Sequence, residues 1–127
     1  SKKTQYGIRA MTYLAEISSK DKVVPLREIS EKKKISFDFL EKILSELEKA
    51  GLVKAKKGSQ GGYFLAKKPE NIKALEIIEA LEGKVRPVSC GGCPYSRACS
   101  SKDLWDEVGD SLGATLEGIT LSEIIKK

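Results

Sequence analysis

The sequence predicts a mostly α-helical chain with one small β-hairpin, arranged as a winged helix-turn-helix plus a long C-terminal dimerisation helix. Residues 26–50 contain a short amphipathic segment, a tight turn and a longer amphipathic segment, which is the layout of a helix-turn-helix. Residues 52–66 then form two short strand patterns around the glycine-rich turn GSQGG, where a wing would lie. We divide the chain into a winged-helix domain (1–83), a cysteine segment (84–100) and a dimerisation helix (101–127).

Helical periodicity and end signals define the first three helices. An amphipathic helix is predicted over residues 5–18, and Pro25 marks the start of a second helix that ends in the lysine run 32–34. Ser36 is placed to cap the third helix and Gly51 to end it. The apolar face of this third helix consists of Phe39, Leu40, Ile43, Leu44 and Leu47.

Two further helices are predicted after the wing. Pro69 opens a helix that continues through Leu81, with Gly83 as its terminator. Residues 101–127 form a long helix with a second short turn. Its apolar stripe has too little of this short chain left to pack against, so we expect a second copy to cover it. The stripe consists of Leu104, Val108, Leu112 and Leu116, flanked by Trp105 and Ile119.

Composition limits where the chain works. Its 127 residues are 40% hydrophobic and 32% charged, which suits one domain with a core of its own. No apolar run approaches the roughly 20 residues of a membrane span, and the first residues lack a signal-peptide pattern. An odd number of cysteines agrees with a reducing compartment. We therefore expect a cytoplasmic protein with no membrane partner.

Charge is distributed unequally along the chain. Residues 1–68 carry 16 Lys and Arg against 8 Asp and Glu, whereas residues 69–127 carry 7 against 10. A basic first half predicts a polyanion partner, and the helix-turn-helix makes double-stranded DNA the expected one. A lysine-rich solvated surface, or a winged helix used only for protein contacts, is the alternative.

The expected DNA contacts lie at the start of the third helix and on the wing. The first residues of such a helix meet base edges in the major groove, and wing lysines neutralise phosphate near the minor groove. Lys32, Lys33 and Lys34 either assist them or form a solvated face. The predicted contact residues are Ser36, Phe37, Asp38, Glu41, Lys42, Lys54, Lys56, Lys57, Ser59, Gln60 and Gly61.

All three cysteines of the chain lie within CGGCPYSRAC, as Cys90, Cys93 and Cys99. Thiols this close usually share a metal or exchange electrons. Three thiolates suit one face of a [2Fe–2S] cluster, with a fourth donor still to be supplied. A zinc site with only three Cys and no His, and a thiol sensor activated by nearby Arg97 and Lys102, are the alternatives.

The chain resembles the IscR-like winged-helix transcriptional regulators, a family that also includes NsrR, RirA and CymR. The resemblance lies in YGIRAMTYLA, in ISFDFLEKILSELEKAGLVKAKKGSQGGYFLAKKPENI, in the cysteine segment followed by DLW, and in ITLSEII. It implies a dimer that binds a [2Fe–2S] cluster and controls genes for cluster assembly. It also implies that Glu41, in FLEKI, tunes the class of DNA site. A cluster-free thiol-sensing repressor of the CymR-like kind is the alternative.

One departure from the family pattern leaves the fourth ligand unassigned. IscR-like members space their cysteines C-x5-C-x5-C and add a histidine three residues later, whereas this chain has C-x2-C-x5-C with Lys102 at the histidine position. The acidic ligand of NsrR-like members corresponds to the neutral Gln5. The candidates are Asp103, Ser100 or Ser101, an N-terminal residue of a second subunit, or a small thiol.

An enzymatic function is not expected. The chain has no histidine, no nucleophile-base set and no phosphate-binding glycine loop that opens a helix, because GSQGGY joins two strands. A thioredoxin-like use of CGGC would need a βαβ context that the pattern does not contain.

Overall fold

The computed structural model describes residues 2–17, 23–83 and 102–126. These residues form a mostly helical fold with one small antiparallel sheet, as the sequence predicts. In chain order the elements are α1 (Lys2–Ile17), α2 (Leu26–Lys33), α3 (Phe37–Lys49), β1 (Val53–Lys56), β2 (Gly62–Leu65), a 3-10 helix (Pro69–Asn71), α4 (Ala74–Glu82), α5 (Lys102–Glu117) and α6 (Leu121–Lys126).

The hydrophobic core lies where α1, α3 and α4 pack against one another. The side chains at its centre are completely buried, and they come from apolar positions three or four residues apart on each helix. They include Met11, Leu14, Leu40, Ile43, Leu44, Leu47 and Ile77. The predicted apolar face of the third helix is confirmed, with Phe39 half-buried at its edge.

The turn between α2 and α3 is held by Ser30. Lys34 adopts a left-handed conformation, with φ of 54°, and its N–H donates to the Ser30 carbonyl. The same carbonyl accepts from the Ile35 N–H at 3.0 Å, and Ser30 Oγ donates to the Ile35 carbonyl at 2.6 Å. Ser36 Oγ then accepts from the Phe39 N–H at 3.5 Å, which confirms the predicted cap. The two helices of the helix-turn-helix are therefore joined by a closed turn.

Gly51 ends α3, as predicted, and directs the chain into the wing. Its φ of 81° is a left-handed value that favours glycine. The Gly51 N–H donates to the Glu48 carbonyl at 2.9 Å, and the Leu52 N–H donates to the Leu47 carbonyl at 3.0 Å. This pair of bonds is a Schellman motif, which satisfies the last carbonyls of the helix.

The wing is a hairpin attached to the segment that precedes α2. Its strands pair from Val53–Leu65 to Lys56–Gly62. Val24 bridges to Tyr63 through two backbone hydrogen bonds of 2.9 and 2.8 Å. A Cβ on Gly62 would overlap the Val24 carbonyl, so this contact requires glycine. The extra pairing holds a two-stranded hairpin that is marginal by itself.

The predicted helix from Pro69 to Leu81 is wrong in its first part. The 3-10 helix ends at Asn71, and Ile72 and Lys73 are extended. The Leu121 N–H donates to the Ile72 carbonyl and the Ala74 N–H to the Ile119 carbonyl, both at 2.8 Å. These long-range hydrogen bonds hold Ile72 and Lys73 in an extended conformation, so α4 begins only at Ala74. Gly83 caps its end, as predicted.

The C-terminal helix is interrupted, so that its last part returns to the core. The helix α5 ends at Glu117, and α6 begins at Leu121 and packs against α1 and the 3-10 helix. Leu121 is completely buried. The predicted long helix with a second short turn therefore consists of α5 and a short α6 that belongs to the core.

We expect Gly62→Ala to lower the free energy of unfolding by at least about 2 kcal/mol, because the added methyl meets backbone rather than a movable side chain. Urea unfolding followed by circular dichroism measures the change. Gly113→Ala is the control, since a Cβ there meets nothing within 4 Å and alanine favours the helix by about 0.5–1 kcal/mol. Equal stability of Gly62→Ala and the unaltered chain would contradict the close approach.

Candidate nucleic-acid interface

The exposed face of α3 carries the predicted base-contacting residues. Ser36, Phe37, Asp38, Glu41 and Lys42 are all exposed, whereas the opposite face of the helix is buried in the core. Phe37 exposes 44% of its surface although it is apolar. The start of α3 therefore presents one aromatic ring, two carboxylates and one ammonium to solvent.

The two edges of this face have different neighbours. On one edge, Lys3 of α1 contacts both carboxylate oxygens of Glu46, at 2.8 and 2.6 Å. On the other edge, Tyr63 of the wing lies within electrostatic reach of Glu48 and Glu41. Burial raises the pKa of the Tyr63 hydroxyl, and the two carboxylates add to the shift. Tyr63 is not among the contact residues predicted from the sequence, where its only signal is its place after GG in the wing.

Glu41 has no ion-pair partner in the part of the chain that the structure describes. A lone exposed carboxylate weakens the attraction for a polyanion unless a donor meets it. Cytosine N4 in the major groove is such a donor. The geometry therefore suits a residue that selects among base sequences.

The wing presents lysines that are free to meet phosphate. Lys54, Lys56 and Lys57 are exposed, as are Ser59 and Gln60 at the tip, and none of the three lysines has an ion-pair partner within the described ranges. Gly61 is half-buried, and a Cβ on it would overlap the Lys56 carbonyl. The turn itself therefore requires glycine at position 61, independently of any approach to a DNA groove.

The lysine run at the end of α2 is divided between two environments. Lys33 places its Nζ 5.6 Å from the centre of the Tyr13 ring, in a cation–π contact. Lys32 and Lys34 are exposed. Lys33 therefore contributes to packing, and the other two face solvent.

Two side-chain contacts join α1 to the helix-turn-helix. Tyr13 donates to Glu28 of α2 at 2.6 Å, and this hydrogen bond, together with burial and the charge of Glu28, raises the pKa of Tyr13 to about 12. Tyr6 meets Phe39 of α3 edge to face at 5.6 Å, with Arg9 over the Tyr6 ring at 5.3 Å. These contacts orient both helices of the motif against α1.

The helix α5 exposes an apolar face. Leu104, Val108 and Leu112 are 56%, 38% and 42% exposed, and Leu116 is half-buried. The three exposed side chains, without Leu116, line a shallow groove of about 580 Å³ together with Glu107, Ser111 and Thr115. Three exposed large side chains in one row are more than scattered surface residues.

The predicted metal ligands Cys90, Cys93 and Cys99 lie outside the described residues. Within residues 2–17, 23–83 and 102–126, no group of three or more His, Cys, Asp or Glu side chains is placed to hold a metal ion. The cysteines themselves are a suitable donor set, because thiolate sulfur is the ligand of iron–sulfur clusters. Their segment connects the end of α4 to the start of α5.

No helix in the described ranges is long and apolar enough to cross a bilayer.

A closed helix-turn-helix followed by a lysine-bearing hairpin defines a winged-helix domain of the kind that binds DNA. The sequence pattern of the Rrf2 family, described as iron-dependent transcriptional regulators, matches residues 1–127. This chain belongs to the Rrf2 family. Its relatives are named as transcriptional regulators, which agrees with the expectation that it is not an enzyme.

The chain is similar to proteins of two kinds, IscR and CymR. The transcriptional regulator IscR of Escherichia coli is 37% identical over 126 residues, covering 97% of this chain and 77% of the relative. The structure of T. potens IscR matches with a TM-score of 0.79 at 36% identity, covering 99% of this chain and 85% of that one. The structure of CymR, the global cysteine regulator of B. subtilis, matches with a TM-score of 0.80 at 31% identity. The match covers 99% of this chain and 95% of that one.

We expect Tyr13→Phe to lower the free energy of unfolding at pH 8 by about 1–2 kcal/mol, since it removes a hydrogen bond to a charged acceptor. Because folding raises the pKa of Tyr13 from 10.0 to about 12, this stabilisation is fully present below pH 10 and is lost as the pH rises to about 12. Urea unfolding of both proteins at several pH values measures the difference between them. A difference that stays constant from pH 8 to pH 12 would contradict the hydrogen bond.

Proposed function

We propose that this chain is a cytoplasmic, homodimeric DNA-binding regulator that senses iron–sulfur status through a [2Fe–2S] cluster and controls genes for cluster assembly. The observation that carries the proposal is the cysteine triplet Cys90, Cys93 and Cys99 in a chain that is 37% identical to IscR over nearly its whole length. In this proposal the state of the cluster reports the redox conditions and the supply of iron and sulfur, and the winged helix responds through its binding to DNA.

The three cysteines would hold the cluster, and a weaker donor would complete its ligands. Lys102 stands where IscR-like members have histidine, and a protonated ammonium has no lone pair to offer. The fourth donor would instead be Asp103, Ser100 or Ser101, an N-terminal residue of a second subunit, or a small thiol. The cluster would be a group that the protein gains or loses as the supply of iron and sulfide changes. Exchangeable ligation at one position suits a sensor better than a permanent structural site.

A second candidate function is thiol sensing without a cluster. The match to CymR, with a TM-score of 0.80, favours it, as does the absence of histidine from the whole sequence. Arg97 and Lys102 would lower the pKa of a neighbouring cysteine and so increase its thiolate fraction. Zinc is less suitable, because a structural zinc site closes with four Cys or His ligands and this chain offers three.

For DNA binding, α3 would lie in the major groove and the wing beside the minor groove. The start of α3 then places Ser36, Phe37 and Asp38 at base edges, with Glu41 and Lys42 one turn further along. Lys54, Lys56 and Lys57 would contact phosphate, and the tip of Ser59, Gln60 and Gly61 would approach the minor groove. Apart from the half-buried Gly61, these residues are exposed, and the charged ones have no ion-pair partner in the described part of the chain, which supports this assignment.

The dimer would form through the apolar face of α5. Leu104, Val108 and Leu112 lie at helical spacing of four and stay exposed in the single chain. The same face of a second copy would cover them by two-fold symmetry. Two winged-helix domains then read two halves of one DNA site.

The helix α4 supplies a mechanical connection between the proposed sensor and the DNA interface. It ends at Gly83, next to the cysteine segment, and packs against both α3 and α5. A cluster that holds the ends of α4 and α5 in one arrangement would favour one orientation of α3 relative to the dimer helix. Coupling of this kind shifts a population between two dimer geometries.

We expect Lys56→Gln to make DNA binding less dependent on salt. Each neutralised phosphate contributes about 0.9 to the slope of log affinity against log salt, so a dimer that loses one contact in each wing loses about 1.8. Fluorescence anisotropy on duplex DNA at several salt concentrations measures the slope.

Lys73→Gln is the matched control, because it removes the same charge from a lysine paired with Glu117 at 3.1 Å, away from the wing. An equal slope for Lys56→Gln and the unaltered chain would overturn the wing contact, whereas a loss of about 0.9 would indicate a monomer.

The sensor proposal is tested by an anaerobic absorption spectrum, with iron and sulfide assayed per chain. We expect a coloured protein with iron and sulfide in equal amounts, and loss of both in Cys93→Ser. The Ser89→Ala variant, one residue before Cys90, is the control and keeps its cluster. A protein that stays colourless after reconstitution, yet binds DNA, would overturn the cluster and favour the thiol sensor.

A further inference from the structure

Phe37 is an exposed apolar residue at the start of a helix whose other apolar residues are buried or half-buried. It is the first residue of α3 and is 44% exposed. Among the described residues, the other large hydrophobic side chains exposed to this degree are Leu104, Val108 and Leu112, all on α5. Phe37 therefore lies apart from the apolar face proposed for the dimer.

The Phe37 ring is packed less closely than the ring of Phe39. Phe39, two residues later, packs edge to face on Tyr6 at 5.6 Å and lies against the core. No aromatic or core contact of this kind involves Phe37 in the described ranges. Stability thus gives a weaker reason for a ring at position 37 than at position 39.

The surroundings of Phe37 indicate what would cover it. Exposed Lys34 precedes α3, and on the same helix Lys42 stands beside the carboxylates of Asp38 and Glu41. The start of a helix carries partial positive charge. Residues 1–68 hold 16 Lys and Arg against 8 Asp and Glu, so a polyanion is the partner that their net charge favours, and the ring would then meet an apolar group of that polyanion.

Double-stranded DNA offers one such group in the major groove. Each base pair presents hydrogen-bond donors and acceptors there, and thymine alone adds a methyl group at C5. Since the first residues of a recognition helix meet base edges, the ring at position 37 would lie at the depth of that methyl. Glu41, one turn later along the same edge, would meet a donor such as cytosine N4.

We propose that Phe37 is a specificity-determining residue that reads the C5-methyl of one thymine in each half-site. The inference rests on the proposed DNA interface and adds the base that this position selects. Burial of one methyl group is worth about fourfold in affinity, so loss of the methyl from one half-site should weaken binding by about fourfold.

The test compares thymine with uracil, which differ only in this methyl group. Binding sites are selected from random duplexes with the full chain, and each thymine of the selected sites is replaced in turn by uracil. We expect one thymine per half-site at which uracil weakens binding about fourfold. For Phe37→Ala, thymine and uracil at that position should bind equally well, whereas Phe37→Leu, which keeps an apolar side chain, should retain a preference for thymine.

The outcomes separate the two levels of the proposal. Selected sites whose affinity is indifferent to every thymine methyl would overturn the role of Phe37 and leave the DNA interface intact. An equal loss on uracil substitution in the unaltered chain and in Phe37→Ala would also overturn it, because the methyl would then act through another residue. Failure to select any duplex would overturn the DNA interface and this inference together.

Discussion

Burial of one apolar stripe on α3 is the constraint on which the other features depend. Leu40, Ile43, Leu44 and Leu47 are each completely buried, between α1, α2 and α4. Rotation of α3 about its axis would expose these side chains, at a cost of about 1.5–3 kcal/mol for each one. The opposite face of the helix is therefore presented to solvent in one orientation, and its polar residues and Phe37 occupy defined positions.

Two short backbone pairings attach the wing and α6 to the rest of the fold. Val24 pairs with Tyr63, which holds the wing beside the helix-turn-helix, and Lys73 pairs with Thr120, which brings α6 back to the core. Both are made where an extended residue or a glycine permits close approach of two backbones. Backbone hydrogen bonds thus join the hairpin and α6 to the rest of the fold.

Packing, rather than charge, is the means by which α4 connects its neighbours. The ion pairs Lys67–Glu76 and Lys73–Glu117, at 2.8 and 3.1 Å, are largely exposed, and such pairs are worth about 0–1 kcal/mol. Ile77 and Leu81 of α4 are instead buried in the same core as α3. Any signal from the cysteine segment would accordingly reach α3 as a displacement of packed helices. A close-packed core responds to such a displacement in discrete steps.

The sequence by itself determined most of the helices, several of their ends and the exposed face of α3. Ser36, Gly51 and Gly83 act as the local signals predict, because a cap depends on backbone groups only a few residues away. The tertiary structure alone decided that Ile72 and Lys73 are extended, since their partners come from residues 119–121. It also decided that the charge of Glu41 acts on Tyr63, and that close contacts with the chain's own backbone require glycine at positions 61 and 62. Such contacts join distant parts of the chain and follow from how the helices pack, which local periodicity does not encode.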